Sequence, residues 1–136
     1  MASISLDGVD IGPDCVSVFQ QLKLKKSYEY IIYNISGDKK HIVVEKTSTS
    51  EKHDAFIADL PETECRFAVK DFRFEIDPTE GERNKILLIV WSPDNAPIRN
   101  KMVFAASKGN LKRRLNGIAA EIQGTDYSEI AYETIT

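Results

Sequence analysis

The chain has 136 residues, the usual size of one domain and enough to bury a core, whereas two domains would each be too small. Hydrophobic residues at 42% and charged residues at 29% describe a folded globular chain and exclude disorder for its body, and no apolar run is long enough to span a bilayer. The net charge of −3 excludes a general nucleic-acid binder, which is basic over its whole domain. The N-terminal MASISLDGVDIG has no charged region followed by an apolar core, so an intracellular protein is expected.

In chain order, residues 1–11 read as a flexible polar segment with Ser3 and Ser5 open to modification. Gly12-Pro13 opens a short helix to about Leu24, with Cys15, Val18, Phe19 and Leu22 inward and Lys23, Lys25 and Lys26 at the end that suits the helix dipole. Two strands, Tyr28–Ser36 and His41–Thr47, flank the turn signal Gly37-Asp38-Lys39-Lys40, and the first is apolar on both faces, as in the middle of a sheet. His53–Leu60 reads as one or two helical turns stopped by Pro61. Arg66–Ile76 alternates as a strand with Phe72, Phe74 and Ile76 on one face and Phe67 and Val69 on the other. After a loop at Asp77-Pro78 and Gly81, KILLIVW at 85–91 is a central strand buried on both faces. A short strand, Ile118–Gln123, and a last helix capped by Thr125 or Asp126, with Glu129 placed for a capping box, complete the chain. This order predicts an α/β (α+β) fold, one mixed sheet with helices on both faces.

Between the last two strands lies a helix of about 20 residues, capped at Asn95, primed by Pro97 and ended by Asn116-Gly117. Its apolar residues fall into two stripes at 100° per residue. Phe104, Leu111 and Leu115 share one. Ile98, Met102 and Ala105 share the other, fringed by Arg99, Lys101, Lys112 and Arg113. A helix on a sheet needs one apolar face; the second either meets a partner protein or is buried in a crevice of the same domain. Charge follows the same division. Residues 97–117 hold six basic and no acidic residues, and 118–136 hold four acidic and no basic ones, which fits one basic patch aimed at an acidic protein or an anionic lipid headgroup.

Motifs of chemistry are missing from the sequence: no phosphate loop, nucleophile elbow, H-E-x-x-H or C-x-x-C. Cys15 and Cys65 sit among apolar neighbours as buried thiols, and His41 and His53 read as surface residues without chemistry. No metal site, cofactor or enzyme activity is expected.

The run WSPDNAPIRNKMVFAASKGNLKRRLNG, continuing into IQGTDYSEIAYE, resembles the actin-depolymerising factor/cofilin family, as do LPETECRFAVKDFRFE at 60–75, ERNKILLIVWSPD at 82–94 and residues 9–26. The likeness covers almost the whole chain and leans towards the fungal branch. It implies a single cofilin-homology (ADF-H) domain over 1–136 with about five strands in a mixed sheet. It also implies an actin-binding protein, expected as a monomer, that takes ADP-actin monomers and filaments and severs or depolymerises filaments. The expected place of work is the cytoplasmic actin cytoskeleton and the nucleus. Carried onto matching positions, Ile98, Arg99, Lys101 and Met102, with Lys112 and Arg113 further along, would contact monomer and filament, and Arg83 and Lys85 would contact filament alone. Arg99, Lys101, Lys112 and Arg113 would also meet phosphoinositide headgroups. The alternatives are a relative moved to another partner, as glia maturation factor has with the Arp2/3 complex, or a phosphoinositide-binding module. Three departures stand out. Asp7 precedes Gly8-Val9 where the family commonly has its regulatory serine, leaving Ser3 as the phosphorylation candidate. Gly109 replaces an acidic residue and invites a bend, at about 1 kcal/mol relative to alanine. Relatives commonly continue with charged residues past the position of Thr136, so a reduced filament site is expected.

Overall fold

The apolar run Ile86–Trp91 lies in the fifth strand of a six-stranded mixed sheet and is buried along its whole length. The computed structural model describes residues 9–37 and 40–135. The strands are β1 (Asp10–Ile11), β2 (Tyr30–Ile35), β3 (His41–Ser48), β4 (Arg66–Asp77), β5 (Gly81–Trp91) and β6 (Ala120–Gly124), and their order is β1-β3-β2-β4-β5-β6. The β1–β3 and β5–β6 pairs are parallel and the others antiparallel. Helices are α1 (Asp14–Lys25), α2 (His53–Ala58), α3 (Ile98–Arg114) and α4 (Tyr132–Ile135), the last preceded by a 3-10 turn at Tyr127–Ile130.

Strand alternation distributes side chains to two cores. Ile31, Tyr33, Phe67, Val69, Leu88 and Val90 face α1 and α3, where they meet Cys15, Phe19, Leu22, Phe104, Leu111 and Leu115. Tyr30, Ile32, Ala68, Phe72, Leu87, Ile89 and Trp91 face the other way, against Phe56 and Leu60 by α2 and Ile130 of the 3-10 turn. The helices thus cover both faces of the sheet, as the apolar runs in β2 and β5 require.

Several boundaries differ from expectation. The sheet has six strands because Asp10–Ile11 adds an edge to β3, with registers Asp10–His41 and Ile11–Ile42. Residues 9–11, read as part of a flexible segment, are therefore fixed in place. Two residues carry no readable alternation, and the tie is made by long-range bonds: Val9 N–H donates to Ser107 Oγ at 3.0 Å and Asn110 Nδ2 donates to Val9 O at 3.1 Å. Gly12 continues the contact, donating to Ile42 O at 2.7 Å, and a Cβ on it would lie 2.9 Å from that oxygen. Residues 1–8, with Ser3, Ser5 and Asp7, and the turn residues Asp38 and Lys39 lie outside the described residues.

β5 starts at Gly81, four residues before Lys85, because the loop is short: Asp77 Oδ1 accepts from Thr79 N at 2.8 Å and Glu80 N at 2.7 Å, and Gly81 turns the chain at φ 76°. α3 has 17 residues, with Pro97, not Asn95, at its N-cap; Pro97 has an extended ψ of 146° and no side-chain cap. Gly117, at φ 99°, turns the chain after it. The last helix is divided into the 3-10 turn and α4. Its cap is Asp126, whose Oδ1 accepts from Glu129 N at 3.2 Å, while Glu129 reaches back to Thr125 N at 2.7 Å. His53, expected at the surface, is half-buried at the start of α2: its Nε2 lies 2.8 Å from Ile130 O and its ring packs near Phe56, Phe72 and Tyr132. Both cysteines are buried and reduced, and burial pushes both thiols up from their ordinary pKa.

Candidate functional site

α3 is held by one stripe and bare along the other. Phe104 stacks at a tilt on Phe67 with ring centroids 4.9 Å apart, and Ser107 and Leu111 are fully buried beside it. Leu115, just past the last turn, is buried as well. Ser107 is accommodated because its hydroxyl donates to Val103 O at 2.6 Å while accepting from Val9 N. At the N-terminal end, Asn100 Oδ1 accepts from Cys65 N at 2.7 Å, joining the first turn to the entry of β4. The helix runs unbroken through Gly109, where a Cβ would meet only Arg113 Nη1 at 3.5 Å.

Among the described residues, none covers the opposite stripe. Ile98 is 74% exposed and Met102 55%, and Ala105 is exposed beyond them. The crevice reading is thereby excluded among the described residues. Arg99 is exposed beside them, at the rim of a groove of about 580 Å³ that Asn34, Ser36 and Glu64 also line. Lys101 is half-buried, and its ammonium donates to Asp94 O at 3.0 Å, which fixes it to the loop before the helix.

Further along, the fringe is partly neutralised from inside. Glu121 on β6 accepts from Lys108 Nζ at 2.9 Å and pairs with Lys112 Nζ at 3.3 Å. Burial acts to raise the Glu121 pKa, but hydrogen bonds from Lys108, Gln123 and Lys112 outweigh it and hold the carboxyl below its ordinary 4.5. Arg113 donates to Asn110 Oδ1 within its own turn of helix. Of the cations assigned from the sequence, Arg99 and Lys101 thus stand with Met102, whereas Lys112 is held by a carboxylate. No sequence pattern announces Glu121, because its partners are brought to it only by the parallel β5–β6 pairing and the docking of α3.

Arg83 and Lys85 lie away from this helix. Both are on β5, opposite Phe74 and Phe72 of β4, so they share the sheet face that α2 and α4 cover. Arg83 is exposed, and the Lys85 ammonium sits 5.2 Å from the Phe74 ring centre. Deeper on the same face lies a buried cation that the sequence did not single out. Lys70 is 5% exposed, with its Nζ 5.1 Å from the Phe56 ring centre and 5.6 Å from that of Tyr30. Burial pushes its pKa down, against the pull of Glu29 and Asp71. It packs the core rather than a surface.

Among the described residues, no three His, Cys, Asp or Glu side chains come together as metal ligands, and no helix is long and apolar enough to cross a membrane. A rigid sheet that presents one helix by its bare, cation-fringed stripe defines a protein-docking module. Comparison with known proteins agrees. The family described as cofilin/tropomyosin-type actin-binding protein matches residues 8–136. Cofilin of Schizosaccharomyces pombe is 50% identical over 132 residues, covering 97% of this chain and 95% of that protein, and cofilin of Mycosarcoma maydis is 51% identical over 128 residues, covering 94% and 91%. Among solved structures, a cofilin from Streptomyces griseoflavus superposes with a TM-score of 0.88 at 48% identity, covering 94% of each chain. The chain belongs to the cofilin/actin-depolymerising factor family of actin-binding proteins.

Proposed function

We propose that the stripe Ile98, Arg99, Lys101 and Met102 docks on actin, both monomeric and filamentous, with Arg113 and, once released from Glu121, Lys112 extending the contact. Actin binding and filament depolymerisation come with the family. The observation that carries the residue assignment is the bare pair Ile98 and Met102, 74% and 55% exposed one turn apart and flanked by Arg99 and Lys101. Methionine adapts to an irregular cleft, and the cations complement an acidic surface and speed encounter. Arg83 and Lys85 form a second, filament-only contact. Two contacts on one rigid body favour whichever filament twist satisfies both, and the boundary between decorated and bare filament is then strained and breaks. Differential affinity for two filament states suffices, and no covalent chemistry is required of the chain.

The same cations Arg99, Lys101, Lys112 and Arg113 meet phosphoinositide headgroups in competition with actin. The protein acts as a monomer in the cytoplasm at the actin cytoskeleton, and in the nucleus. The assignment is tested with two double variants in parallel assays of ADP-actin monomer binding and filament cosedimentation. Arg99→Ala with Lys101→Ala weakens both by roughly tenfold or more, at about 1.4 kcal/mol per tenfold. Arg83→Ala with Lys85→Ala weakens filament binding alone. Equal losses of both variants in both assays refute the two-surface assignment.

A further inference from the structure

We propose that the filament contact wraps both faces of the hairpin formed by β4 and β5, with Lys26 supplying on the α1 face what Arg83 and Lys85 supply on the other. It rests on the filament role proposed above for Arg83 and Lys85. The pairing of β2 with β4 stops at Tyr30–Lys70, whereas β4 and β5 stay paired out to Asp77–Gly81. One more bond on that side, Asp71 N–H to Glu29 O at 2.9 Å, closes the sheet, and Phe72 is still buried, so the two strands stand out as a two-stranded ribbon from Arg73 onward. Arg83 and Lys85 point to one face. Asp71 and Arg73, with Asn84 opposite Arg73, alternate to the other.

On that second face the end of α1 arrives. Lys26, Asp71, Arg73, Asn84 and the edge at Arg83 line a notch of about 210 Å³. Lys26 Nζ lies 3.2 Å from Asp71 Oδ2, Asn84 Nδ2 donates to Asp71 Oδ1 at 2.8 Å, and Arg73 Nη2 lies 2.6 Å from Glu29 Oε1. The layering of charge matters more than its sum. The side chains of Asp71 and Glu29 are 1% and 12% exposed, whereas those of Lys26 and Arg73 are 51% and 37% exposed. Arg73 is also met from the solvent side by the exposed Glu51, whose Oε1 lies 3.9 Å from its Nη1, so it is neutralised from both sides. The outward positive charge of the notch is carried by Lys26 above the buried Asp71, and it is suited to a carboxylate of an actin subunit.

Backbone conformation supplies a second, independent observation. Lys26 sits at φ 57°, ψ 30°, and among the described residues it is the one non-glycine with positive φ. This is the helix-terminating position where glycine is favoured and a β-carbon is costly. A lysine held there against its backbone preference is explained by where its ammonium ends, over Asp71 at the ribbon. The Lys26–Asp71 pair also gives the occupant a way in, because a partner carboxylate competes with Asp71 for the same ammonium.

The full chain is tested in filament cosedimentation and monomer binding, with Arg83→Gln as the reference variant. Lys26→Gly removes the charge while giving the backbone its preferred residue, and Asp71→Asn keeps the hydrogen bond with Asn84 while freeing Lys26. We expect Lys26→Gly to weaken filament binding by about three- to tenfold and to leave monomer binding within about twofold. Asp71→Asn should keep or raise filament affinity, and the double variant should behave as Lys26→Gly does. A merely structural pair predicts the same sign for both single variants, with losses that track the thermal midpoint, and that result overturns the proposal. If Arg83→Gln weakens filament binding and Lys26→Gly does not, the second face is refuted and the filament role of Arg83 stands. If Lys26→Gly weakens it and Arg83→Gln does not, or if neither does, the filament role of Arg83 fails and the two-faced contact with it. Loss confined to vesicles of phosphatidylcholine with phosphatidylinositol bisphosphate assigns the notch to a lipid surface and overturns the proposal.

Discussion

Met102 and Phe104 are two residues apart on one helix and differ in what their removal should do. Met102 is 55% exposed and touches little of its own chain, so Met102→Ala should leave the thermal midpoint within a degree or two. The proposed burial of its side chain against actin would be worth about 1–2 kcal/mol, so the same variant should weaken actin binding roughly five- to thirtyfold in a sedimentation titration. Phe104 is 1% exposed against Phe67, and Phe104→Ala should cost about 3–5 kcal/mol of stability by urea unfolding. Binding would then be lost with the fold. A binding loss without a stability loss therefore separates the docking stripe from the anchoring stripe, and Met102 is the residue that makes the distinction sharpest.

At the scale of the element, α3 is poorer than it needs to be as a helix, and its glycine is replaceable. Gly109 is mid-helix, and a Cβ there meets only Arg113 at ordinary contact distance, so Gly109→Ala should stabilise the protein by about 1 kcal/mol, read from the urea midpoint. The link from α3 to β6 titrates. With the Glu121 carboxyl held below 4.5 in the native state, the unfolded chain binds more protons as pH falls through that range. The stabilisation from the Lys108–Glu121–Lys112 cluster is thus fully present above about pH 4.5 and is lost as pH falls through the native pKa. Glu121→Gln should lower the thermal midpoint at neutral pH and flatten its fall in acid. By releasing Lys112 it should also raise binding to anionic vesicles. Amphipathic spacing made both stripes of this helix legible in the sequence, and Pro97 marked its start within a residue or two. Glu121 was not legible, because a strand residue and two helix residues more than eight positions away meet only after docking. Asn95 was misread as the cap because Pro97 itself sits at the boundary.

For the whole molecule, the segregation of charge matters more than the net value of −3. Exposed cations at Arg99 and Arg83 face outward on opposite sides of the sheet. Raising ionic strength from about 0.05 to 0.3 M shortens the screening length to several ångströms and should slow association with filaments while leaving the dissociation rate nearly unchanged, measurable by stopped-flow. The long apolar strands β2 and β5 and the alternation in β4 made the two-sided sheet readable, since burial on both faces and burial on alternate faces leave different patterns. β1 left no pattern, being two residues whose place depends on Ser107 and Asn110 far along the chain. His53 looked like a surface residue because nothing nearby in sequence reveals that Ile130 and Tyr132 will close over it.

Two buried thiols stand at separate joints of this molecule, and each is a natural reporter of how that joint opens. Cys15 donates to Ile42 O where α1 meets β3, and Cys65 lies at the entry of β4, its N–H held by Asn100 of α3. Both are fully shielded, with pKa values above ordinary, so a thiol-specific dye reaches either one only through transient opening. Labelling followed by mass spectrometry should therefore time the two openings independently in the unmodified protein. A ligand seated on α3 should slow the clock at Cys65 more than the one at Cys15.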